Sequence, residues 1–135
     1  FDYLKDRSSK QIHFSFLCPE KSLKAAINPT LHSWTIENLI KNAIDAMKGK
    51  GELVVEISET DLYIKINVTD SGKGIPKAHF SKVFEPGFTT KKRGWGLGLS
   101  LTKRIVQEYH KGRVIVAHSE MGKGTTMQIS YKKEV

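Results

Sequence analysis

Asn38 and Asn42 stand four residues apart and Asp45 three further on, a spacing that sets all three on one side of a helix. Amides on successive turns are weak helix formers compared with lysine or glutamate, so a merely solvated face has little use for them. An amide does offer an uncharged oxygen to a hard cation such as Mg²⁺, whose other ligands are commonly phosphate oxygens. Taken alone, the pattern is equally that of a surface helix carrying polar residues. Asp70 is a sharper signal. It follows Leu62, Ile64, Ile66 and Val68 at even positions of an alternating run, so it keeps the parity of the inward face and points towards the core at the strand's mouth. A carboxylate there needs a partner, and the amino group of a bound purine is a suitable one. Asp70-Ser71-Gly72 is also ordinary turn chemistry. Gly72 and Gly74, flanking Lys73 and followed by Ile75, let the backbone approach a flat ligand.

Gly94-Trp95-Gly96-Leu97-Gly98 precedes a second helical pattern, and helix starts carry free amide donors that suit phosphate. The run is neither a dinucleotide fingerprint, because Thr89 to Arg93 before it is not a strand, nor a Walker loop, because no Gly-Lys pair is followed by serine or threonine. On composition alone it is also a flexible surface loop. Lys91, Lys92 and Arg93 lie just ahead of it, where they would either balance triphosphate charge or form a solvated run.

These residues need elements to hold them. Ile12, Phe14 and Phe16 alternate with polar residues as in a half-buried strand. Asn28 and Pro29 have the order of an N-cap and first helical residue, and the helix runs from about Pro29 to Met47. Ile36, Leu39, Ile40, Ala43, Ile44 and Met47 form its buried stripe, and Gly49 and Gly51 end it. Leu53, Val55 and Ile57, a turn near Thr60 and Asp61, and the even run from Leu62 predict a hairpin. From Asp70 to Gly98 the chain reads as loop, with a helical turn around His79 to Phe84. A second helix is expected from about Leu97 to His110, then Gly112 and strands near Arg113 to His118 and Thr125 to Tyr131. Helices separated by antiparallel pairs indicate an α+β, two-layer sandwich.

The chain's 135 residues fit one domain, residues 11–135, with residues 1–10 as a linker or the end of an upstream helical hairpin. Its 39% apolar and 27% charged residues are ordinary for a globular domain, and no apolar run reaches transmembrane length. Starting at Phe1 without a signal-peptide pattern, the chain reads as a piece of a longer protein, and any anchor would lie elsewhere. Cys18 is the single cysteine and reads as a buried thiol in a reducing compartment. A net charge of +8 suits nucleic acid, an acidic membrane or a phosphorylated ligand, but no aromatic ladder, zinc-finger or basic-helix pattern accompanies it. No nucleic-acid binding and no membrane contact by this domain are expected.

In this order the segments resemble the catalytic, ATP-binding domain of sensor histidine kinases, in the superfamily shared with gyrase, heat-shock chaperone and mismatch-repair ATPases. Glu37 to Ala43 is similar to the family's N box and Asp70 to Ile75 to its first glycine box. Phe80 to Lys91, with Phe84-Glu85-Pro86 and Thr89-Thr90-Lys91, resembles the phenylalanine box and lid, Gly94 to Leu101 the second glycine box, and Gly124-Thr125-Thr126 the last. The resemblance extends from about residue 10 to 131. It implies a Bergerat-type fold: a mixed, mostly antiparallel sheet of about five strands, covered on one face by about three helices.

The resemblance further implies ATP and Mg²⁺ as cofactors. Asn42 would bind the metal, Asp70 the adenine amino group, Gly72, Gly74 and Ile75 the base, and Thr125 would support the adenine site. Thr89, Thr90, Lys91, Arg93, Gly94, Gly96, Leu97, Gly98 and Leu99 would belong to the phosphate-facing lid, with Asn38 and Asp45 alongside. Asp45 stands where some members carry a phosphate-reaching lysine, a contact Lys91 or Arg93 would replace, and Gly87 where many carry an aromatic. Asn38 and Lys91 are the candidates for catalysis. ATPase relatives have a water-activating glutamate four residues before the metal-binding asparagine; here that residue is Asn38, and an amide takes no proton. Glu37 lies about 100° around the helix from it. The implied activity is therefore transfer of the γ-phosphate to a histidine; an ATPase switch or a serine kinase of the same superfamily is the alternative. None of His13, His32, His79, His110 or His118 is followed by the acidic-residue and proline pattern of an acceptor, so all five are expected at the surface or in packing. The implied partners are a histidine-bearing dimerisation domain of the same parent protein and a response regulator, in the cytoplasm, whether or not the parent is anchored in a membrane.

Overall fold

Leu53 and Val55 on one strand and Ile64, Ile66 and Val68 on the next fall on the same side of a pleated sheet, and that side is where the core forms. The computed structural model describes residues 12–17, 29–48, 50–86 and 98–133. Its strands are β1 (Ile12–Leu17), β2 (Gly51–Glu59), β3 (Tyr63–Asp70), β4 (Arg113–Glu120) and β5 (Gly124–Lys132). They form one sheet in the order β1-β2-β3-β5-β4, with β1 parallel to β2 and every other pair antiparallel. The parallel pair needs a crossover, which α1 (Pro29–Met47) supplies. α2 runs from Gly98 to Arg104 and continues as a π-helical turn over Ile105–Tyr109, and two short 3₁₀ turns, Lys77–His79 and Lys82–Phe84, lie before it. This is the α+β, two-layer arrangement expected.

Leu39, Ile40, Ala43 and Met47 of α1 and Val106 of α2 meet the inward residues of all five strands in one cluster, with Phe84 closing it. The opposite face of the sheet is polar and partly exposed, and there Thr69 and Thr126 bond at 2.9 Å and Gln128 donates to Asn67 at 2.9 Å. α2 is held to the loop before it partly by Lys103, whose ammonium stands 5.8 Å from the Phe84 ring centroid.

Several boundaries differ from the sequence reading. Leu62 is 61% exposed, because β3 begins at Tyr63 and Leu62 belongs to the turn. Phe16 is 48% exposed, so only the start of β1 is inside. The left-handed residue after α1 is Lys48 (φ 53°), and Gly51 opens β2 instead of ending the helix. β4 extends to Glu120. Its alternation breaks at Ala117, where Val116 pairs with Met127 but His118 pairs with Thr126. The bulge turns Ser119, not His118, towards the inner side opposite Thr125. Residues 1–11, Cys18, Asn28, Gly49, Gly87 and the segment from Thr89 to Leu97 lie outside the described residues, and with them the expected linker, helix cap and lid contacts.

His32 and His110 are packing histidines, as expected. Both rings stand edge-on to Tyr131, 5.4 and 5.5 Å between centroids, and His32 Nδ1 lies 2.9 Å from the Tyr131 hydroxyl. Burial pushes that hydroxyl up to about 12, so it stays protonated beside the ring. Burial, then His110, lowers the pKa of His32, and burial lowers that of His110. A group with a depressed folded pKa takes up its proton first in the unfolded chain, so both histidines contribute stability that is complete above about pH 6.5 and lost as pH falls towards their folded values. Thermal unfolding should therefore occur at lower temperature near pH 5.5 than near pH 7.5. The difference should be smaller in His32→Gln; a wild-type midpoint independent of pH over this range would contradict the assignment.

Gly124 makes a second prediction. Its φ is 134°, and a Cβ there would overlap the backbone carbonyl of Asp70 on the neighbouring strand. Gly124→Ala should cost about 2–4 kcal/mol in denaturant unfolding.

Candidate nucleotide site

The last inward residue of β3 is charged. Asp70 continues the column of Ile64, Ile66 and Val68, is 7% exposed, and lies between Leu53 of β2 and Thr125 of β5 in the register. Burial raises its pKa, and hydrogen bonds from the backbone amides of Gly72 and Thr125 work against that rise. The Gly72 amide donates to Oδ1 at 2.8 Å. Two amides are a small complement for a buried carboxylate, which has room for about four donors. Asp70 is thus an acceptor built into the wall at the end of the sheet.

The loop after it is tied to three elements. The Lys73 amide donates to the Ala46 carbonyl near the end of α1 at 3.2 Å, and the Glu52 amide of β2 donates to the Ser71 hydroxyl at 2.9 Å. From the β4–β5 turn the Gly122 amide donates to the Lys73 carbonyl at 2.8 Å, while the Ile75 amide donates to the Ser119 hydroxyl at 2.7 Å. Ser119 also lies 2.7 Å from the Thr125 hydroxyl. This changes the account of the glycines: a Cβ on Gly72 would meet the Ala46 carbonyl at 2.5 Å, and one on Gly74 would overlap the Glu120 carbonyl. Their first task is close contact with the chain's own backbone. Ile75 packs against the core, as does Leu99 on α2.

The second wall is α1 facing α2. Asn38 Nδ2 donates to the Thr102 hydroxyl at 2.9 Å, and Thr102 donates to the Gly98 carbonyl at 2.9 Å. Asn42 Nδ2 donates to the backbone carbonyl of Asn38 at 3.0 Å. With its nitrogen bonded to its own helix, the amide directs its oxygen away from that carbonyl. Asn38 and Asn42 are half-buried, whereas Asp45 is exposed. Among the described residues no three histidine, cysteine, aspartate or glutamate side chains are grouped to hold a metal ion, so a cation here would depend on the amide and on ligand oxygens.

The structure therefore brings together Asn38, Asn42, Gly98 and Leu99 at the helix pair and Asp70, Gly72, Gly74, Ile75 and Thr125 at the sheet end. Ala46, which the Gly72–Lys73 backbone touches, joins the two groups through α1. Thr89, Thr90, Lys91, Arg93, Gly94, Gly96 and Leu97 lie outside the described residues. Ser119 and Thr102 were missed. Ser119 is hidden from strand alternation by the bulge, and Thr102 stands in a helical pattern where threonine carries no signal.

The model of the family described as histidine kinase-, DNA gyrase B-, and HSP90-like ATPase matches residues 30–135. The sensor histidine kinase ZraS of Escherichia coli (strain K12) is 38% identical over 93% of this chain and 26% of that protein. Sporulation kinase A of Bacillus subtilis (strain 168) is 41% identical over 72% of this chain and 16% of that protein. The chain thus spans about a quarter or less of the length of these relatives. Among solved structures, the nucleotide-free catalytic domain of the histidine kinase ThkA superposes with a TM-score of 0.82 at 26% identity, over 98% of this chain and 84% of that one. ThkA in complex with the response regulator protein TrrA superposes at 0.80 with 25% identity, over 98% and 36%. The chain belongs to the histidine kinase-, DNA gyrase B-, and HSP90-like ATPase family, as an ATP-binding catalytic domain of the sensor histidine kinase type.

Proposed function

We propose that the chain binds Mg-ATP between the sheet end and the α1–α2 pair, and holds the γ-phosphate for in-line transfer to a histidine on a separate helical hairpin of its parent protein. A response regulator then receives the phosphate, as the ThkA–TrrA complex suggests for a relative. The site belongs in the cytoplasm, where ATP is available; no helix among the described residues is long and apolar enough to cross a membrane. Asp70 carries the reading. Its buried carboxylate suits the amino group of adenine, and Thr125, across the strand pair, supports it through the backbone amide.

The helix pair would meet the phosphates. Asn42 offers its amide oxygen to Mg²⁺, which when bound would neutralise phosphate charge. Thr89, Thr90, Lys91, Arg93, Gly94, Gly96, Leu97 and Gly98 form the phosphate-facing lid of this reading, and the chain's positive excess suits a triphosphate. Transfer rests on positioning and electrostatics more than on a protein base. Asn38 lacks the carboxylate that water activation requires, and its amide nitrogen already donates to Thr102.

Asp70→Asn should separate binding from stability. The amide keeps one acceptor but turns an N–H₂ towards a purine amino group, so affinity for ATP should fall at least about tenfold by calorimetry. Removing the desolvated charge should leave the unfolding midpoint unchanged or raised; unaltered affinity would remove Asp70 from the site. Incubated with radiolabelled ATP and Mg²⁺, the chain should incorporate no phosphate into itself. It should label a histidine hairpin from its parent when one is supplied. Rapid steady-state hydrolysis abolished by Asn38→Ala would instead favour the ATPase reading.

A further inference from the structure

We propose that Thr102 is a positioning residue for the Mg²⁺-bound phosphates of the nucleotide: its hydroxyl takes Asn38 Nδ2, so that Asn38 presents Oδ1, an atom that can meet phosphate only through a cation, and it ties Asn38 to the first residue of α2. The proposal rests on the ATP-site reading above. Thr102 is fully buried, with Val106 one turn further also fully buried, so a plain apolar residue would satisfy packing there. A buried hydroxyl is retained at little cost only when it is bonded.

Its bonding has one consistent solution. The Gly98 carbonyl can only accept, so the single hydroxyl proton goes to it, over 2.9 Å. The oxygen lone pair then faces Asn38, which must present Nδ2 and turn Oδ1 elsewhere. A threonine bonded to a carbonyl one turn back is common helix chemistry. Its second partner is not, because Asn38 comes from another helix, 64 residues away in sequence. The carboxamide lies against the start of α2: a Cβ on Gly98 would stand 2.8 Å from Asn38 Oδ1 and 3.1 Å from Nδ2. One turn along α1, Asn42 Nδ2 is committed to the Asn38 carbonyl by the same logic. Both asparagines of α1 are thereby set with nitrogen bonded inside the protein, one of them only because of Thr102.

Valine has nearly the shape of threonine but neither donates nor accepts. In Thr102→Val the amide of Asn38 can rotate and the Gly98 carbonyl loses its side-chain partner, while the wall at Asp70 is untouched. Calorimetric titrations of the chain with metal-free ADP and with a non-hydrolysable ATP analogue plus Mg²⁺ read the difference. The wild type should favour the Mg-triphosphate, and Thr102→Val should reduce that preference roughly three- to tenfold, as expected for one hydrogen bond, with ADP affinity unchanged. Thr102→Ser, which keeps the hydroxyl, should restore it. An unchanged preference in Thr102→Val, or equal weakening of both ligands, would overturn the proposal by reducing Thr102 to a structural role. Should the valine variant not fold, Thr102→Ala removes the same hydroxyl with a smaller apolar side chain and adds no charge. It must lower the same preference or the proposal fails. A wild-type chain that binds neither nucleotide would overturn the ATP reading itself, and the proposal with it.

Discussion

A carboxylate placed where the apolar column of β3 should end dominates the design of this domain. Asp70 is kept out of water by Leu53 and Thr125 on either side, and its desolvation is offset only in part by two backbone amides. To hold those amides in place the loop after β3 is fastened to α1, β2 and the β4–β5 turn, and the glycines of the loop are what allow such close fastening. In the proposed nucleotide site this rigidity would favour a flat base, because little ordering would remain to be done on binding.

The other wall has a different character. Its groups are neutral amides and a hydroxyl, bonded to one another between two helices, and nothing in it resists a change of partner as strongly as a buried charge does. In the proposed site the work is divided between a charged acceptor at the sheet end and a neutral polar seam between α1 and α2. Such a division suits a ligand whose base is to be retained while its terminal phosphate is delivered elsewhere.

How far the sequence could disclose this depended on whether position in the chain implied direction in space. Asp70 was legible because strand parity runs unbroken from Ile64 to it, and α1 was legible because its apolar spacing is regular. Leu62 misled because a turn residue can mimic the next step of an alternation. Ser119 was illegible because a bulge changed the parity ahead of it. Thr102 could not be singled out, since its meaning lies in the donor and acceptor roles of Asn38 and Gly98, which only folding brings together. The glycines read as letting backbone approach a flat ligand; among protein atoms, what approaches them is backbone from α1 and β4.

The bulge at Ala117 divides β4 into two stretches whose inward residues differ in parity: Val114 and Val116 serve the core before it, and Ser119 serves the Asp70 loop after it. The strand is in effect a splice between a piece that builds the domain and a piece that builds the pocket. If the same sequence paired without the bulge, the hydrophobic half would stay in register, but His118 would turn inward and the Ser119 hydroxyl outward. Such a protein would keep its core while the loop after Asp70 lost its tie to β4, so the extra residue at Ala117 belongs to the pocket as much as the side chains that line it.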